Sequence, residues 1–112
     1  MMSNSIFDFI AKEIADNDVV LFMKGNASMP LCGFSAQVCQ ILNIAGVKFK
    51  DIDVLQNADL RQGIKDFTDW PTIPQLYIKG EFIGGCDIIK EMHKTGELIE
   101  LLKNKQIIVL PE

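Results

Sequence analysis

The stretch that decides the fold reads WPTIPQLYIKGEFIGGCD and runs from Trp70 to Asp87. Each of its two prolines restricts the residue before it to extended backbone, so this stretch cannot continue a helix. Residues 75–78 and 81–83 are rich in strand formers, and only Lys79-Gly80 separates them. A two-residue connection of this kind is typical of an antiparallel hairpin. The stretch therefore predicts two short paired strands.

Upstream of the hairpin, the sequence predicts a parallel pair of strands. The continuous apolar run over residues 19–23 is typical of a strand buried on both faces. A helix follows, because apolar residues recur there at helical spacing, at Val38, Ile41, Leu42 and Ala45. Gly46 ends this helix, and residues 47–54 form the next strand. A strand, a helix and a second strand in this order predict a βαβ unit with a right-handed crossover.

Four further helices complete the predicted domain. The first ends near Asp16, one surrounds Ile64, and the last two follow Gly84-Gly85. The element order predicts the α/β class and a thioredoxin-like fold, in which helices flank a central four-stranded mixed sheet in three layers. We expect residues 1–112 to form a single domain whose core covers about residues 5–104. The apolar positions that indicate these helices are Ile6, Phe9, Ile10, Ile14, Leu60, Ile64, Phe67, Ile88, Ile89, Met92, Leu98, Leu101 and Leu102.

Composition excludes several classes of function. The chain has a net charge of -4, and its 11 basic residues are scattered, so we expect no nucleic-acid partner. No apolar run reaches the roughly 18 residues that a membrane span needs, so we expect no membrane association. The first residues lack a basic segment followed by a long apolar one, which is the pattern of a presequence. We therefore expect a cytoplasmic location.

The chain has three cysteines, and Cys32 is the candidate reactive thiol. It lies between a loop and a predicted helix N-terminus, where free N–H groups favour an anion and lower a thiol pKa, and Lys24 adds positive charge nearby. Ser35 occupies the place of a second redox cysteine one helical turn further on. Cys39 is about 10 Å of helical rise away, beyond the roughly 7 Å limit for a disulfide, so we interpret it as a core residue. Cys32 therefore needs an external thiol, and glutathione is the abundant candidate.

Four separated blocks together resemble the CGFS monothiol glutaredoxins. The resemblance covers nearly the whole chain and reproduces the order of the family's blocks, including the long loop between Lys24 and Cys32. It implies a glutathione-binding, thioredoxin-like protein. The blocks are Lys24-Gly25, Cys32-Gly33-Phe34-Ser35, Trp70-Pro71-Thr72-Ile73-Pro74-Gln75-Leu76 and Gly84-Gly85-Cys86-Asp87.

The resemblance also implies which residues hold glutathione. Lys24 and Arg61 would bind its glycine carboxylate, although Arg61 is also consistent with a solvated surface charge. Pro74 looks like a cis-proline that turns the Ile73 backbone towards the cysteine of glutathione, with an ordinary proline at a strand start as the alternative. At the helix start, Cys86 and Asp87 would bind the γ-glutamyl end of glutathione. The alternatives are a slow disulfide partner for Cys86 and a simple helix-dipole acid for Asp87.

The resemblance further implies a [2Fe-2S] cluster that bridges two copies of the chain. Such a cluster takes four thiolates as a rule, and two Cys32 thiolates with two glutathione thiols complete the set. The implied function is an iron-sulfur carrier that receives clusters from scaffolds, delivers them to apo-proteins and pairs with a BolA-like partner. The alternatives are a slow glutathione-dependent oxidoreductase that reduces protein-glutathione mixed disulfides, and an interaction module without a working thiol.

Four features outside this ligand set complete the predictions. We interpret Trp70 and Phe34 as walls that pack around the site, because no basic cluster accompanies them. We interpret His93 as a surface residue, since a lone histidine is a poor indicator of a metal site. Residues 106–112 form either a docked tail or a contact with a partner.

Overall fold

The computed structural model of the chain describes residues 5–107. The helices and strands follow one another in the order that the sequence predicts, with only short connections between most of them. In chain order they are α1 (Ser5–Asp16), β1 (Val19–Met23), α2 (Gly33–Ala45), β2 (Lys50–Asp53), α3 (Ala58–Thr68), β3 (Gln75–Ile78), β4 (Glu81–Gly84), α4 (Cys86–Thr95) and α5 (Glu97–Asn104).

The strands form one four-stranded mixed sheet in the order β2-β1-β3-β4. β1 runs parallel to β2, with Phe22 opposite Ile52, and antiparallel to β3, with Leu21 opposite Leu76. β4 is the antiparallel edge strand beside β3. The predicted α/β class, βαβ unit and hairpin are therefore confirmed.

β1 is the centre of the molecule because its two faces support two separate apolar cores. All five of its residues are buried. Val19, Leu21 and Met23 pack on the side of α2, α4 and α5, whereas Val20 and Phe22 pack on the side of α1 and α3. Successive strand residues point to opposite faces, so a continuous apolar run is needed where helices cover both. The arrangement gives the three layers that the sequence predicts.

The second strand is shorter than predicted. The sequence indicates a strand over residues 47–54, but β2 covers only Lys50–Asp53. At its end the Asp53 carboxylate accepts a hydrogen bond from the Leu55 N–H and begins a 3₁₀ turn over Val54–Gln56. Val47 is buried in the core before the strand begins. The apolar residues at both ends of the predicted strand are therefore buried outside the strand itself. Hydrophobic periodicity alone does not distinguish such buried residues from strand residues.

The turns follow the predicted chemistry. Gly46 ends α2 in the left-handed region, with φ 76°. Lys79 and Gly80 join β3 to β4 with φ 52° and φ 81°, the two positive φ values that a tight hairpin turn requires. The peptide bond between Ile73 and Pro74 is cis, as the resemblance implies.

The C-terminal segment is described as far as Ile107. Its side chain is buried in the core beside α5, and its N–H donates a hydrogen bond to the Leu102 carbonyl. The rest of the predicted tail, residues 108–112, lies outside the described residues. Within residues 5–107, no helix has both the length and the apolar character needed to cross a membrane.

Candidate functional site

Cys32 lies immediately before Gly33, the first residue of α2, on extended backbone with φ −149° and ψ 135°. Partial burial by itself raises the pKa of the thiol. The N–H groups of Ser35 and Phe34, the positive charge of Lys24 and the Ser35 hydroxyl act in the opposite direction and outweigh it. The net result is a lowered pKa for Cys32. The thiolate is the form of cysteine that acts as a nucleophile and as a metal ligand, so the lowered pKa favours both nucleophilic attack and metal binding by Cys32.

Ser35 takes a structural role at the place of a second redox cysteine. Its side chain is fully buried, and its hydroxyl accepts a hydrogen bond of 3.1 Å from the Lys24 N–H. This bond joins the chain just after β1 to the first turn of α2. Lys24 is thereby held next to the thiol whose pKa it lowers.

Two aspartates of β2 hold the loop over residues 24–31 that leads to the thiol. Asp53 Oδ1 accepts a hydrogen bond of 3.0 Å from the Gly25 N–H, and Asp51 Oδ2 accepts one of 2.7 Å from the Ala27 N–H. The sequence analysis missed both residues. The only indication in the sequence was a pair of acidic residues at alternate positions of a predicted strand. Exposed strands commonly carry this pattern without such a role.

The Asp53 carboxylate has further hydrogen-bond partners besides the Gly25 N–H of the loop. It also accepts hydrogen bonds from the Leu55 N–H and the Gln56 side-chain amide. Burial raises the pKa of Asp53, but the hydrogen bonds from Leu55, Gln56 and Gly25 outweigh that effect and lower it. The carboxylate therefore stays ionised where it joins the loop to the sheet.

A groove of about 390 Å³ lies beside the Cys32 end of α2. Its lining comes from five parts of the chain that the fold brings together at this end of the sheet: Lys24, Phe34, Lys65, residues 70–74 and residues 85–88. Four of the sequence-predicted glutathione residues are among them, namely Lys24, Ile73, Cys86 and Asp87.

Arg61, the fifth predicted glutathione residue, is an exposed residue of α3 and does not line the groove. The α3 cation in the lining is Lys65. The two residues are one helical turn apart and share a face of the helix. The sequence analysis missed Lys65, and this spacing from Arg61 was the available signal.

The wall over residues 70–74 carries the single tryptophan. The Trp70 ring packs on Phe82 of β4, with ring centroids 5.4 Å apart. Its Nε1 is buried and has no hydrogen-bond partner among residues 5–107. Phe34 also lines the groove but is 59% exposed, beside Leu31 at 61% and Met29 at 67%. Both aromatic residues are walls of the site, and the Phe34 wall is open to solvent.

The opposite wall is the N-terminus of α4, where Gly85 is the last residue before the helix. A Cβ atom at Gly85 would lie 3.2 Å from the Pro74 carbonyl oxygen and 3.4 Å from Trp70 Nε1. Both distances are tight, so glycine lets the two walls approach each other. The first N–H groups of α4, which have no carbonyl partner within the helix, and the cations Lys24 and Lys65 make this groove suitable for carboxylates.

Cys86 is buried at the start of α4, and its Sγ donates a hydrogen bond of 3.4 Å to Gln37 Oε1. Burial raises the pKa of this thiol, and the charges of Asp87 and Cys32 raise it further against the lowering effect of Lys90. The two thiols therefore lie close enough to interact but have opposite pKa shifts. At any pH, Cys32 is therefore ionised to a greater extent than Cys86.

Two other predicted assignments are confirmed. Cys39 is buried in α2 and contacts Met23 Sδ at 3.6 Å, and burial raises its pKa, as expected of a core cysteine. His93 is exposed in α4. Among residues 5–107, no three His, Cys, Asp or Glu side chains cluster in a way that could hold a metal ion.

Comparison with known proteins agrees with this geometry. The glutaredoxin family model matches residues 19–83. The probable monothiol glutaredoxin 2 of Rickettsia conorii is 56% identical over 103 residues, which are 92% of this chain and 96% of that protein. The solution structure of reduced apo GrxS14 from poplar has 47% identity and a TM-score of 0.79 over 88% of this chain and 91% of that one.

A more distant relative is known with a ligand. The crystal structure of a buckwheat glutaredoxin-glutathione complex has 25% identity and a TM-score of 0.80 over 93% of each chain. The structural agreement confirms the predicted thioredoxin-like fold. With a single activated thiol, a buried serine in the second thiol position and close relatives of the monothiol type, the chain belongs to the monothiol glutaredoxins.

Proposed function

We propose that the chain binds glutathione in the groove and carries a [2Fe-2S] cluster between two copies of itself. The observation that carries the proposal is one thiolate of lowered pKa beside a groove that holds two cations and a helix N-terminus. Glutathione has two carboxylates, one ammonium and a thiol, and the groove has groups of matching chemistry. Family membership and the buckwheat complex support the same ligand.

The proposed contacts use residues of the groove together with Arg61. Lys24 and Lys65, with Arg61 one turn away on α3, would bind the glycine carboxylate. The Ile73 backbone would pair with the cysteine of glutathione by strand addition. At the start of α4, the Cys86 backbone would bind the γ-glutamyl carboxylate and Asp87 its ammonium.

The cluster is the cargo of this protein, and its ligand set extends beyond one chain. Cys32 supplies one thiolate, and a bound glutathione supplies a second, so two copies complete the usual four. Ligands held by ionic and backbone contacts make a cluster easy to release, which suits a carrier. We propose assembly scaffolds, apo iron-sulfur proteins and a BolA-like protein as its partners, in the cytoplasm.

Reconstitution with iron, sulfide and glutathione without oxygen tests this function. The expected result is a visible chromophore that depends on glutathione, elutes with a dimer and is lost in Cys32→Ser. Cys39→Ser is the matched control, because Cys39 is a buried core thiol, and it should keep the chromophore. A wild-type protein that forms no chromophore would contradict the carrier proposal.

A second candidate is the monothiol oxidoreductase, which the lowered pKa of Cys32 favours. The Cys32 thiolate would attack the glutathione sulfur of a protein-glutathione disulfide, and the protein thiolate would leave and take up a proton. A second glutathione thiolate would then attack the Cys32-glutathione disulfide, releasing glutathione disulfide and restoring the Cys32 thiolate. Rapid turnover of a glutathionylated peptide that is lost in Cys32→Ser would support this enzyme, and we expect slow turnover.

A further inference from the structure

Gln75, the first residue of β3, is a fully buried polar side chain. Its Nε2 donates two hydrogen bonds, to the carbonyl oxygens of Trp70 and Thr72, each of 3.2 Å. Its Oε1 accepts a hydrogen bond from the Tyr77 hydroxyl at 3.4 Å and lies 3.0 Å from the Thr68 hydroxyl, which shares its single proton with the Ile64 carbonyl oxygen at 2.7 Å. A primary amide has two donors and two acceptor positions, and all four of these positions on Gln75 face a polar partner.

The chemistry of these partners fixes the orientation of the amide. Backbone carbonyls only accept hydrogen bonds, so the nitrogen of Gln75 has to face Trp70 and Thr72. The oxygen then faces two hydroxyl groups, which are able to donate. Burial raises the pKa of Tyr77 to about 12, so its hydroxyl keeps its proton under ordinary conditions. The hydroxyl groups of Thr68 and Tyr77 thus hold the oxygen end of the amide, and its nitrogen end holds the backbone of Trp70 and Thr72.

The backbone that Gln75 holds is the 70–74 wall of the groove. This segment lies between α3 and β3 and belongs to neither a helix nor a strand. At its first residue, the Trp70 N–H donates a hydrogen bond of 3.1 Å to the Lys65 carbonyl oxygen at the end of α3. The segment nevertheless contributes Trp70, Thr72 and Ile73 to the groove lining. The two hydrogen bonds from the buried Gln75 side chain therefore hold the carbonyl groups of Trp70 and Thr72 in a wall that has no regular secondary structure.

We propose that Gln75 is a positioning residue that preforms the 70–74 wall for glutathione. This inference rests on the proposed function, since glutathione is the ligand of that groove. Gln75 does not line the groove, so it acts through the backbone that it holds. When the wall is already ordered, glutathione binding does not have to supply the free energy of ordering that segment. Without the two hydrogen bonds, the segment has to be ordered during binding, and the affinity falls.

The test compares variants at the two ends of the same amide. Gln75→Met keeps an unbranched side chain of similar length and removes both bonds to the wall. Tyr77→Phe removes one hydroxyl contact to Gln75 Oε1 and leaves both bonds to the wall in place. Gln75→Glu is a second variant, which keeps the shape and places an oxygen where the carbonyls need a donor.

Binding of reduced glutathione is measured by calorimetry and by the emission of Trp70, the only tryptophan. Urea unfolding gives the stability of each variant, and the pH dependence of alkylation gives the pKa of Cys32. We expect both Gln75 variants to weaken binding by about ten-fold or more, and Tyr77→Phe by less than about two-fold. The pKa of Cys32 should stay at the wild-type value, because its causes lie in α2 and Lys24.

The outcomes separate the two proposals. Wild-type protein that binds no glutathione would overturn the proposed function and this inference with it. If the wild-type protein binds glutathione and a folded Gln75→Met or Gln75→Glu protein binds it with the same affinity, the inference alone is overturned. Equal loss of binding in Tyr77→Phe and Gln75→Met, in proportion to lost stability, would show a general structural effect and would also overturn it.

Discussion

The N–H of Lys24 donates a hydrogen bond to the hydroxyl of Ser35, and this bond links the cation beside the reactive thiol to the helix that begins at it. Lys24 follows β1, and Ser35 lies in the first turn of α2. Between them the chain makes the whole 24–31 loop and the turn at Cys32. This contact closes the loop at its base together with a second hydrogen bond of 2.9 Å, which the Leu31 N–H donates to the Lys24 carbonyl oxygen.

Ser35→Ala removes that contact, and we expect it to raise the pKa of Cys32. The variant loses the hydroxyl that lowers the pKa directly and leaves the Lys24 N–H without its acceptor. A typical cost of one such buried bond is about 1–3 kcal/mol of stability. The pH dependence of Cys32 alkylation measures the pKa, and urea unfolding measures the stability. Ser28→Ala, at an exposed serine of the loop, is the control. An unchanged alkylation profile in Ser35→Ala would contradict the prediction.

Lys65→Gln should weaken glutathione binding more than Arg61→Gln does. Lys65 lines the groove, whereas Arg61 is exposed outside it. A charge-assisted hydrogen bond contributes about 1.5–3 kcal/mol, so losing it should reduce affinity about ten-fold or more. Calorimetry at two salt concentrations measures the effect, and Lys94→Gln at the end of α4 is the control for net charge. Equal effects of the Arg61 and Lys65 variants would instead favour a shared role for both cations.

Gly85→Ala should reduce glutathione binding with little loss of stability. The added methyl group would press on the Pro74 carbonyl at 3.2 Å and the Trp70 ring at 3.4 Å, so the walls of the groove must separate slightly. Gly33→Ala is the matched control for stability, because its Cβ would meet no atom within 4 Å. Titration with glutathione and thermal unfolding measure the two effects. Wild-type affinity in Gly85→Ala would show that this spacing is unimportant for the ligand.

Asp53 should make the loop contact dependent on pH. Its pKa is lowered in the folded protein, so its contribution to stability is fully present above its unfolded pKa of about 3.9. That contribution is lost as the pH falls through the lower, folded pKa. Asp53→Ala should cost about 1–3 kcal/mol at neutral pH and should remove this part of the acid dependence. Urea unfolding from neutral to acidic pH measures both.

Asp53→Asn provides the control for charge. It keeps an oxygen for the N–H groups of Gly25 and Leu55, so it should cost less stability than Asp53→Ala. It has no titrating carboxylate, so it should lose the acid dependence as well. Identical stability curves for Asp53→Ala and the wild-type protein would refute the role of Asp53 in holding the loop.

The reactive thiol and the fold class were predictable because their causes are local. The apolar run of β1, the Lys79-Gly80 turn and the proline pair before β3 each specify backbone through neighbouring residues. The lowered pKa of Cys32 likewise arises mostly from N–H groups within three residues of it. Interactions at such short range appear in the sequence itself.

Only the tertiary structure decided how the groove is built. Lys65 lines it and Arg61 does not, although both share one face of α3, because helix packing sets which turn reaches the site. The anchors Asp51 and Asp53 act on a loop more than twenty residues away in sequence. Gln75 appears in sequence as one polar residue of a strand, and its role arises from four partners that folding brings around one buried amide. Sequence by itself determined the thiol and the strands, since local backbone chemistry specifies them. The shape and the charges of the groove depend on contacts between distant segments, which form only when both sheet faces are packed.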